Sequence, residues 1–333
     1  MVMNGRVEGT VSEATRARVL QAADELGYTR SAVALSLKNR RTKTLGLITD
    51  EISTSPFAGR MVRAASAEAA AAGYMVITVD LSLRESSLDD GIRLLAEHQV
   101  EGLIYATMGR RVLEGAPRVP AGLPLVLLNC IAQDDQDAPP CQVDSVVPDD
   151  YGGARRAAQR LLDVGHTRIV MLSGDNPGDR AAQERERGFQ DALDEAGLNA
   201  EIVHAGWQMN DGYREAQRLL GTAEPPTALF CLRDRVAAGA VHAAAVAGRS
   251  VPEDLSVIGF DDEDLFAETV TPQLTTIALP HTEMGSWAMQ ALIAKIDSDP
   301  AQAAVSAEAR CHVMACHLVE RASVARPPAA PTS

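Results

Sequence analysis

The sequence predicts an α/β protein built on parallel sheets, and three observations lead to that fold class. Short apolar runs recur from Thr44 onward, an alanine-rich helical stretch follows most of them, and glycines close those stretches. Strands that alternate with helices are typical of parallel sheets, because neighbouring parallel strands need a crossover connection. The strands could form one wide sheet, a barrel or two doubly wound lobes, and their rhythm alone does not choose among these.

Eight apolar runs are the predicted strands, and they lie at 45–49, 75–79, 102–105, 125–128, 169–173, 202–204, 228–231 and 257–259. The glycines that follow the amphipathic stretches predict left-handed helix C-caps, at Gly73, Gly165, Gly197 and Gly248. Polar residues collect where the strands end, which is where open α/β sheets bind ligands. Helix N-caps use the same residue types, so part of this set is expected to have no ligand role.

The charge is unevenly distributed along the 333 residues. The net charge is −14, yet residues 1–44 carry +4 and the rest carry −18. A basic end on an acidic body is typical of nucleic-acid contact confined to that end, or of a solvated basic tail. The five cysteines, at irregular spacing, favour thiols in a reducing compartment over a disulfide framework. A cytoplasmic protein without membrane contact is predicted, because neither a leader-like start nor an apolar run of about 18 residues is present.

The N-terminal part differs in kind from the rest. Ser12 predicts the N-cap of a helix that runs to about Leu26, and a shorter helical stretch is predicted over 31–38. At the other end, the proline-rich residues 324–333 predict a disordered tail.

Several stretches together resemble the lac repressor and purine repressor family of bacterial transcription regulators. VSEATRARVLQAADELGY (11–28) resembles the third helix of the family's DNA-binding head, and SAVALSLK (31–38) resembles its hinge helix. In the body, the family's order and spacing are matched by DVGHTRIVMLSG (163–174), ERERGFQDAL (184–193), VPEDLSVIGFDD (251–262) and PQLTTI (272–277). Each motif is weak alone, but the ordered set covers nearly the whole chain.

The resemblance implies two doubly wound lobes, periplasmic-binding-protein-like, joined by three crossovers. The chain would re-enter the first lobe near His281 and return to the second around Cys311. The implied domains are a partial helix-turn-helix head (1–29), a hinge helix and linker (30–43), a first lobe (44–164 and 281–307), a second lobe (165–280 and 308–323) and the tail.

The implied function is a ligand-responsive repressor that binds operator DNA as a homodimer and senses a small polar metabolite, a sugar or sugar derivative, without a cofactor. The alternative is a stand-alone sugar-binding sensor without specific DNA binding. An enzyme is disfavoured, because the sequence contains no phosphate loop of the GxxxxGKS kind, no GxGxxG after the first strand and no GxSxG elbow.

The resemblance also implies an effector pocket between the lobes. Arg185 and Asp261 are its expected polar anchors, and Asp149 is a third polar position for which helix capping is an open alternative. Two aromatic residues are expected to line the pocket, with core packing as the alternative for the first: Phe57 and Trp207.

Arg233 stands where many members of the family have asparagine. An extra cation would suit an anionic ligand, such as a sugar phosphate or a sugar acid, better than a neutral sugar. An ion pair of Arg233 with Asp234 or Asp262 is the equally weighted alternative.

The expected DNA contacts lie near the N-terminus. Leu37 matches the leucine that the family inserts into the minor groove, with Lys38 beside it, and Asn4 lies in the last turn of the implied recognition helix. Ser31 and Val33 complete the implied hinge contacts. The alternative is a linker helix that packs Val33 and Leu37 onto the body.

Cysteine and histidine alternate near the C-terminal end, at Cys311, His312, Cys316 and His317. Zinc needs four converging ligands, whereas side chains in this apolar run would alternate between the faces of a strand. A half-buried strand is therefore favoured over a metal site.

In the family, the first helix and most of the recognition helix precede the segment VMNG, whereas Met1 stands almost directly before it here. A misplaced start and a degenerate regulator both account for this. The chain from Met1 is expected to bind DNA weakly and without sequence preference, because phosphate contacts position a protein but do not read bases.

We expect a form extended in frame upstream of Met1 to bind a near-palindromic operator about 10³- to 10⁷-fold more tightly than unrelated DNA. Titration of both forms on the regulator's own promoter at physiological salt measures this ratio. Nanomolar, sequence-selective binding by the Met1 form would contradict the expectation.

Overall fold

The computed structural model describes residues 12–26, 41–50, 58–82, 87–133, 143–298 and 309–328. The first helix, α1 (Glu13–Glu25), begins as predicted at Ser12, whose hydroxyl accepts a hydrogen bond from the Thr15 N–H. None of its residues is buried within the described part of the chain. Val19 and Leu26 are accordingly exposed, so the residues that the structure describes do not supply the packing that most helices need for stability.

The first lobe is a parallel sheet covered by helices on both faces. Its strands are β1 (Thr44–Thr49), β2 (Met75–Asp80), β3 (Leu103–Glu114), β4 (Leu125–Gln133), β5 (Ser145–Pro148) and β11 (Cys311–Met314), in the order β11-β5-β4-β3-β1-β2. Its helices are α2 (Ala58–Ala71), α3 (Leu88–Glu97) and α8 (His281–Asp297). Every residue of β1 is buried, as expected for a central strand with helices on both sides.

The second lobe repeats this architecture. Its strands are β6 (Ile169–Ser173), β7 (Glu201–His204), β8 (Ala228–Cys231), β9 (Ser256–Asp261), β10 (Thr275–Ala278) and β12 (His317–Val319), in the order β12-β10-β9-β8-β6-β7. Its helices are α4 (Asp150–Asp163), α5 (Arg180–Glu195), α6 (Met209–Leu220) and α7 (Asp234–Val246). Apart from the antiparallel pairing of β12 with β10, the described strand pairs are parallel.

The predicted fold class of two doubly wound lobes is confirmed. The order of the strands also indicates where a ligand would bind. In the first sheet β1 lies between β2 and β3, and in the second β6 lies between β7 and β8. The strand order reverses at such a point, so the loops on either side diverge and leave a crevice at the carboxyl ends. The four predicted C-cap glycines also have positive φ angles, at Gly73, Gly165, Gly197 and Gly248.

The lobe boundaries differ from the predicted ones in two places. The predicted first lobe (44–164) includes α4, but the alanines of this helix and Leu161 pack in the core of the second lobe. The predicted second lobe (308–323) includes β11, but this strand pairs with β5 in the first sheet. The local pattern identified these elements, but the sheet that each one joins depends on contacts distant in sequence.

The run CHVMACHLV is therefore two strands rather than the single half-buried strand predicted. Cys311–Met314 pairs in the first sheet and His317–Val319 pairs in the second, so the chain crosses between the lobes at Ala315 and Cys316. The prediction of a disordered tail (324–333) is wrong for Ala325. This residue exchanges hydrogen bonds with Ser256 and accepts one from His166.

Close approach of α5 to α4 depends on Gly188. A Cβ at this position would overlap the Tyr151 carbonyl oxygen and lie 3.2 Å from the Ala154 Cβ. The glycine thereby lets α5 bring Arg185, one turn earlier, against the start of α4.

We expect Gly188→Ala to lower the free energy of unfolding by about 1 to 3 kcal/mol, because the added methyl group overpacks this helix contact. Gly59→Ala is the matched control, since a Cβ at Gly59 meets nothing within 4 Å. Urea denaturation of both variants measures the effect, and equal stabilities would refute the packing role of Gly188.

Candidate functional site

A cavity of about 370 Å³ lies between the two lobes, at the carboxyl ends of both sheets. It is lined from the first lobe by Met108, Gly109, Arg110, Asn129 and Pro148, from the second by Asp179, Ala181, Arg185, Trp207, Gln208, Arg233 and Asp261, and from the connections between lobes by Asp150, Leu279 and His281. Ligand pockets commonly form at such positions, and their volumes are often about 300 to 1,000 Å³. Four of the predicted pocket residues come together here: Arg185, Trp207, Arg233 and Asp261.

Arg185 is held in one orientation on the second-lobe side of the cavity. Its Nε donates to Asp150 Oδ1 at 2.9 Å, and its Nη1 donates to the Leu232 carbonyl at 2.6 Å. The guanidinium carbon lies 3.7 Å from the centre of the Phe260 ring. With 6% of its side chain exposed, Arg185 is a rigid cation at the base of the cavity.

Asp150 connects the two lobes and is fully buried. One carboxylate oxygen accepts the Arg185 hydrogen bond, and the other lies 3.5 Å from Nη1 of Arg110, on the first lobe. Burial raises the pKa of Asp150, while the charges of Arg185 and Arg110 oppose that rise.

Asp261 stands between two arginines. Its Oδ2 accepts from Arg233 Nε at 3.1 Å, and its Oδ1 lies 3.5 Å from Arg185 Nη1. Its φ of 107° is a conformation that favours glycine, so local strain is tolerated where this carboxylate faces the cavity. Arg233 thus forms an ion pair, but with Asp261 rather than with Asp234 or Asp262.

Those two other carboxylates have structural partners. Asp234 accepts hydrogen bonds from the Thr276 hydroxyl and the Glu263 N–H, and Asp262 lies 2.7 Å from Arg321 Nη2. Burial, followed by the charge of Asp261, raises the pKa of Asp234 to about 8.

Trp207 forms an aromatic wall of the cavity. Its indole lies against Gly174, where a Cβ would meet the ring at 2.5 Å, and the guanidinium carbon of Arg233 lies 5.8 Å from its centre. A fixed aromatic face can stack on the apolar face of a sugar or on a base.

The first-lobe wall is fixed by hydrogen bonds around a break in the β3–β4 pairing. Asn129, with a φ of 63°, donates from Nδ2 to the carbonyls of Thr107 and Met108 at 3.0 and 3.1 Å. The Met108 N–H donates to Asp50 at 2.9 Å. These contacts hold the backbone that carries Arg110.

Other predicted site residues are placed differently. Asp149 caps α4 by accepting a hydrogen bond from the Gly152 N–H at 2.9 Å, and it is not among the residues that line this cavity. Its place in the structure therefore agrees with the helix-capping alternative. Phe57 and the predicted DNA contacts Asn4, Ser31, Val33, Leu37 and Lys38 lie outside the described residues.

Sequence reasoning missed Asp150, Arg110 and Asn129 as cavity residues. The Asp149–Asp150 pair did mark the right position, but an N-cap and its neighbour cannot be distinguished by residue type. Arg110 follows the third predicted strand, so its place after a strand was the available signal.

An ion pair outside the cavity lining connects the two lobes. Arg60 on α2 donates from Nε to Asp264 Oδ2 at 2.7 Å and from Nη2 to the Asp262 carbonyl at 2.8 Å. Because Arg60 belongs to the first lobe and both acceptors to the second, this contact favours the lobe arrangement of the structure.

The described residues contain no group of three or more His, Cys, Asp or Glu side chains that could hold a metal ion. In the same residues, no helix is long and apolar enough to cross a membrane.

His281 lines the cavity where the chain re-enters the first lobe. Burial lowers its pKa to about 3, and the charges of Arg60 and Arg185 add to this effect. The folded protein therefore keeps this imidazole neutral, whereas an unfolded histidine titrates near pH 6.5.

We expect stability to fall as the pH drops below about 6.5, because the unfolded chain then binds a proton that His281 in the folded state does not. At pH 5 this linkage is about 2 kcal/mol, and His281→Asn should remove it. Chemical denaturation of both proteins at pH 7.5 and pH 5 measures the difference. Comparing the two proteins isolates His281, since burial also lowers the pKa of His166. An identical pH dependence would contradict the assignment.

Comparisons with known proteins point to one family. The model of the periplasmic binding protein-like domain matches residues 158–324. The ribose operon repressor of Escherichia coli K12 is 34% identical over 295 residues, covering 86% of this chain and 85% of the repressor. The transcriptional regulator DegA of Bacillus subtilis is 32% identical, covering 84% of this chain and 81% of DegA.

Solved structures agree with these matches. A LacI family regulator from Rhizobium etli superposes with a TM-score of 0.75 at 28% identity, covering 86% of this chain and 100% of that one. A LacI family regulator from Enterococcus faecium with bound ribose has a TM-score of 0.65 at 26% identity, covering 85% and 99%. With identities above 30% over most of its length and the same two-lobed fold, the chain belongs to the LacI family of transcription regulators.

Proposed function

We propose that this regulator senses a small hydroxylated metabolite, a sugar or sugar derivative, which binds in the cavity between the lobes. The observation that carries the proposal is the set of fixed arginines and carboxylates around one cavity beside an aromatic wall. Arginine donors and carboxylate acceptors suit hydroxyl groups, which both donate and accept, while an indole face suits a sugar ring. The ribose operon repressor and the ribose-bound regulator support the ligand class.

The position of the cavity suits a signalling role. Both lobes contribute polar groups, so a ligand that contacts both favours one relative arrangement of the lobes over others. A change in that arrangement would alter the spacing of two DNA-binding heads in a homodimer and thereby its affinity for a two-part operator. The proposed function includes no catalytic step in the cavity. The regulator would act in the cytoplasm, where it would bind operator DNA.

Arg185 and Asp261 are the proposed polar anchors of the effector. We expect Asp261→Asn and Arg185→Ala each to weaken binding by roughly 5- to 150-fold, because a desolvated ligand group loses its partner. A thermal-shift screen of pentoses, hexoses, disaccharides and their acid and phosphate derivatives identifies the ligand, and calorimetry then measures the affinities.

Asp262→Asn is the matched control for this test. Asp262 is next to Asp261, but it pairs with Arg321 and does not line the cavity, so affinity should stay at the wild-type value. Unfolding curves of each variant show whether the fold is retained, which matters most for Arg185→Ala because it leaves Asp150 without its closest cation. Unchanged affinity in folded Asp261→Asn and Arg185→Ala would exclude both residues as anchors.

A further inference from the structure

Of the three arginines that line the cavity, Arg110 has the longest contact to its nearest carboxylate. Its contact with Asp150 Oδ2, at 3.5 Å from Nη1, is longer than the 2.7–2.9 Å typical of charge-assisted hydrogen bonds. Its Nε is buried and has no hydrogen-bond partner within the described residues. The guanidinium has five N–H donors, so most of its capacity is not used by the surrounding protein contacts that the structure describes.

The two buried carboxylates near Arg110 already face other arginines. Three arginines and two buried carboxylates meet in the cavity, and both carboxylates already face arginines: Asp150 faces Arg185 and Arg110, and Asp261 faces Arg185 and Arg233. The lining contains one further carboxylate, so its three arginines and three carboxylates balance, and Arg110 is distinguished by its weak pairing rather than by a net charge.

The helix terminus next to the cavity already has an anionic partner within the protein. Ala181, in the first turn of α5, lines the same cavity, and helix N-termini attract anions through their N–H groups and the helix dipole. Asp179 is the third carboxylate of the lining. It accepts a hydrogen bond from the Ala182 N–H at 2.9 Å and caps this helix, so its negative charge is paired with the positive end of α5.

Arg110 is also held in place before any ligand arrives. The Thr107 hydroxyl contacts the carbonyls of Gly109 and Asn129 at 2.8 and 3.0 Å, on the segment that precedes Arg110. With 15% of its side chain exposed, Arg110 would lose its remaining water when a ligand fills the cavity. A neutral ligand would leave this desolvated charge poorly compensated, whereas an anionic group would offset the cost.

We propose that the effector carries an anionic group, a carboxylate or a phosphate, which Arg110 binds at the first-lobe wall of the cavity. This inference rests on the proposed function, because it specifies the charge of the ligand that the cavity takes. A sugar acid and a sugar phosphate present the same chemistry to a guanidinium, namely two or more oxygen acceptors that can bond two N–H groups at once.

The test uses the full chain and matched pairs of probes in calorimetry at constant ionic strength. The pairs are D-glucuronate and D-glucose 6-phosphate against D-glucose, and D-ribose 5-phosphate against D-ribose. We expect at least one charged probe to bind more tightly than its neutral parent. In Arg110→Gln its affinity should fall by roughly 10- to 100-fold, with little change for the parent. The acid and phosphate arms distinguish the two sources of the anion.

Arg111→Gln is the matched control, because Arg111 is the next residue, has 55% of its side chain exposed and pairs with Asp50. It should keep the wild-type preference. Arg110→Lys retains the charge but not the planar fork, so it should bind the charged probe with intermediate affinity, and it provides a second variant if Arg110→Gln does not fold.

Equal affinity of the charged and neutral probes for the wild-type protein would overturn the anionic assignment and leave sugar binding in place. A charged preference that survives in folded Arg110→Gln would overturn the role of Arg110. Binding by none of the probes would count against the proposed sugar-sensing function itself, together with the inference that rests on it.

Discussion

The ion pair between Asp150 and Arg185 is nearly withdrawn from water, and the arrangement of the cavity depends on it. Asp150 is fully buried and Arg185 almost so, with a hydrogen bond of 2.9 Å between them. Removing one partner of such a pair typically costs about 3 to 5 kcal/mol, because the other charge is left buried alone. The pair therefore restricts how α4 and α5 can pack, and those helices in turn determine where the second lobe meets the cleft.

Asp150 also explains how the two lobes share one site. It lies at the start of α4, directly after β5 of the first sheet, and α4 then packs in the second lobe. Its carboxylate faces Arg185 of the second lobe and Arg110 of the first. A change in the angle between the lobes would alter the distance between Asp150 and Arg110, so the energy of the lobe arrangement depends on this carboxylate. A ligand that adds contacts to one arrangement shifts the balance toward it.

Strained backbone occurs at this cleft. Asn129 and Asp261 have φ angles of 63° and 107°, which L residues rarely adopt. Each ends a buried strand segment, and its surroundings fix the strained conformation: Asn129 bonds two carbonyls, and Asp261 faces two arginines. Such strain costs stability but points polar side chains toward the cavity, where hydrogen bonds to the protein or to a ligand can offset the cost.

The sequence by itself determined the local structure of this protein and much of its site. Hydrophobic runs predicted the central strands, and glycines predicted the helix ends. Local preferences suffice there, because burial and backbone conformation act on the residue itself. The family resemblance further indicated the two lobes and identified Arg185, Trp207, Arg233 and Asp261, which the fold brings to one cavity.

Only the tertiary structure decided which lobe each crossing element joins and which polar residues meet. The sequence left α4 and β11 in the wrong lobes, and it favoured Asp149 over Asp150, because neighbouring acids in a helix cap look alike until a partner distinguishes them. The partner of Arg233 was likewise undetermined among nearby acids. Ion pairs across 28 to 76 positions of sequence depend on which strands and helices become neighbours in the second lobe, so no local pattern could have specified them.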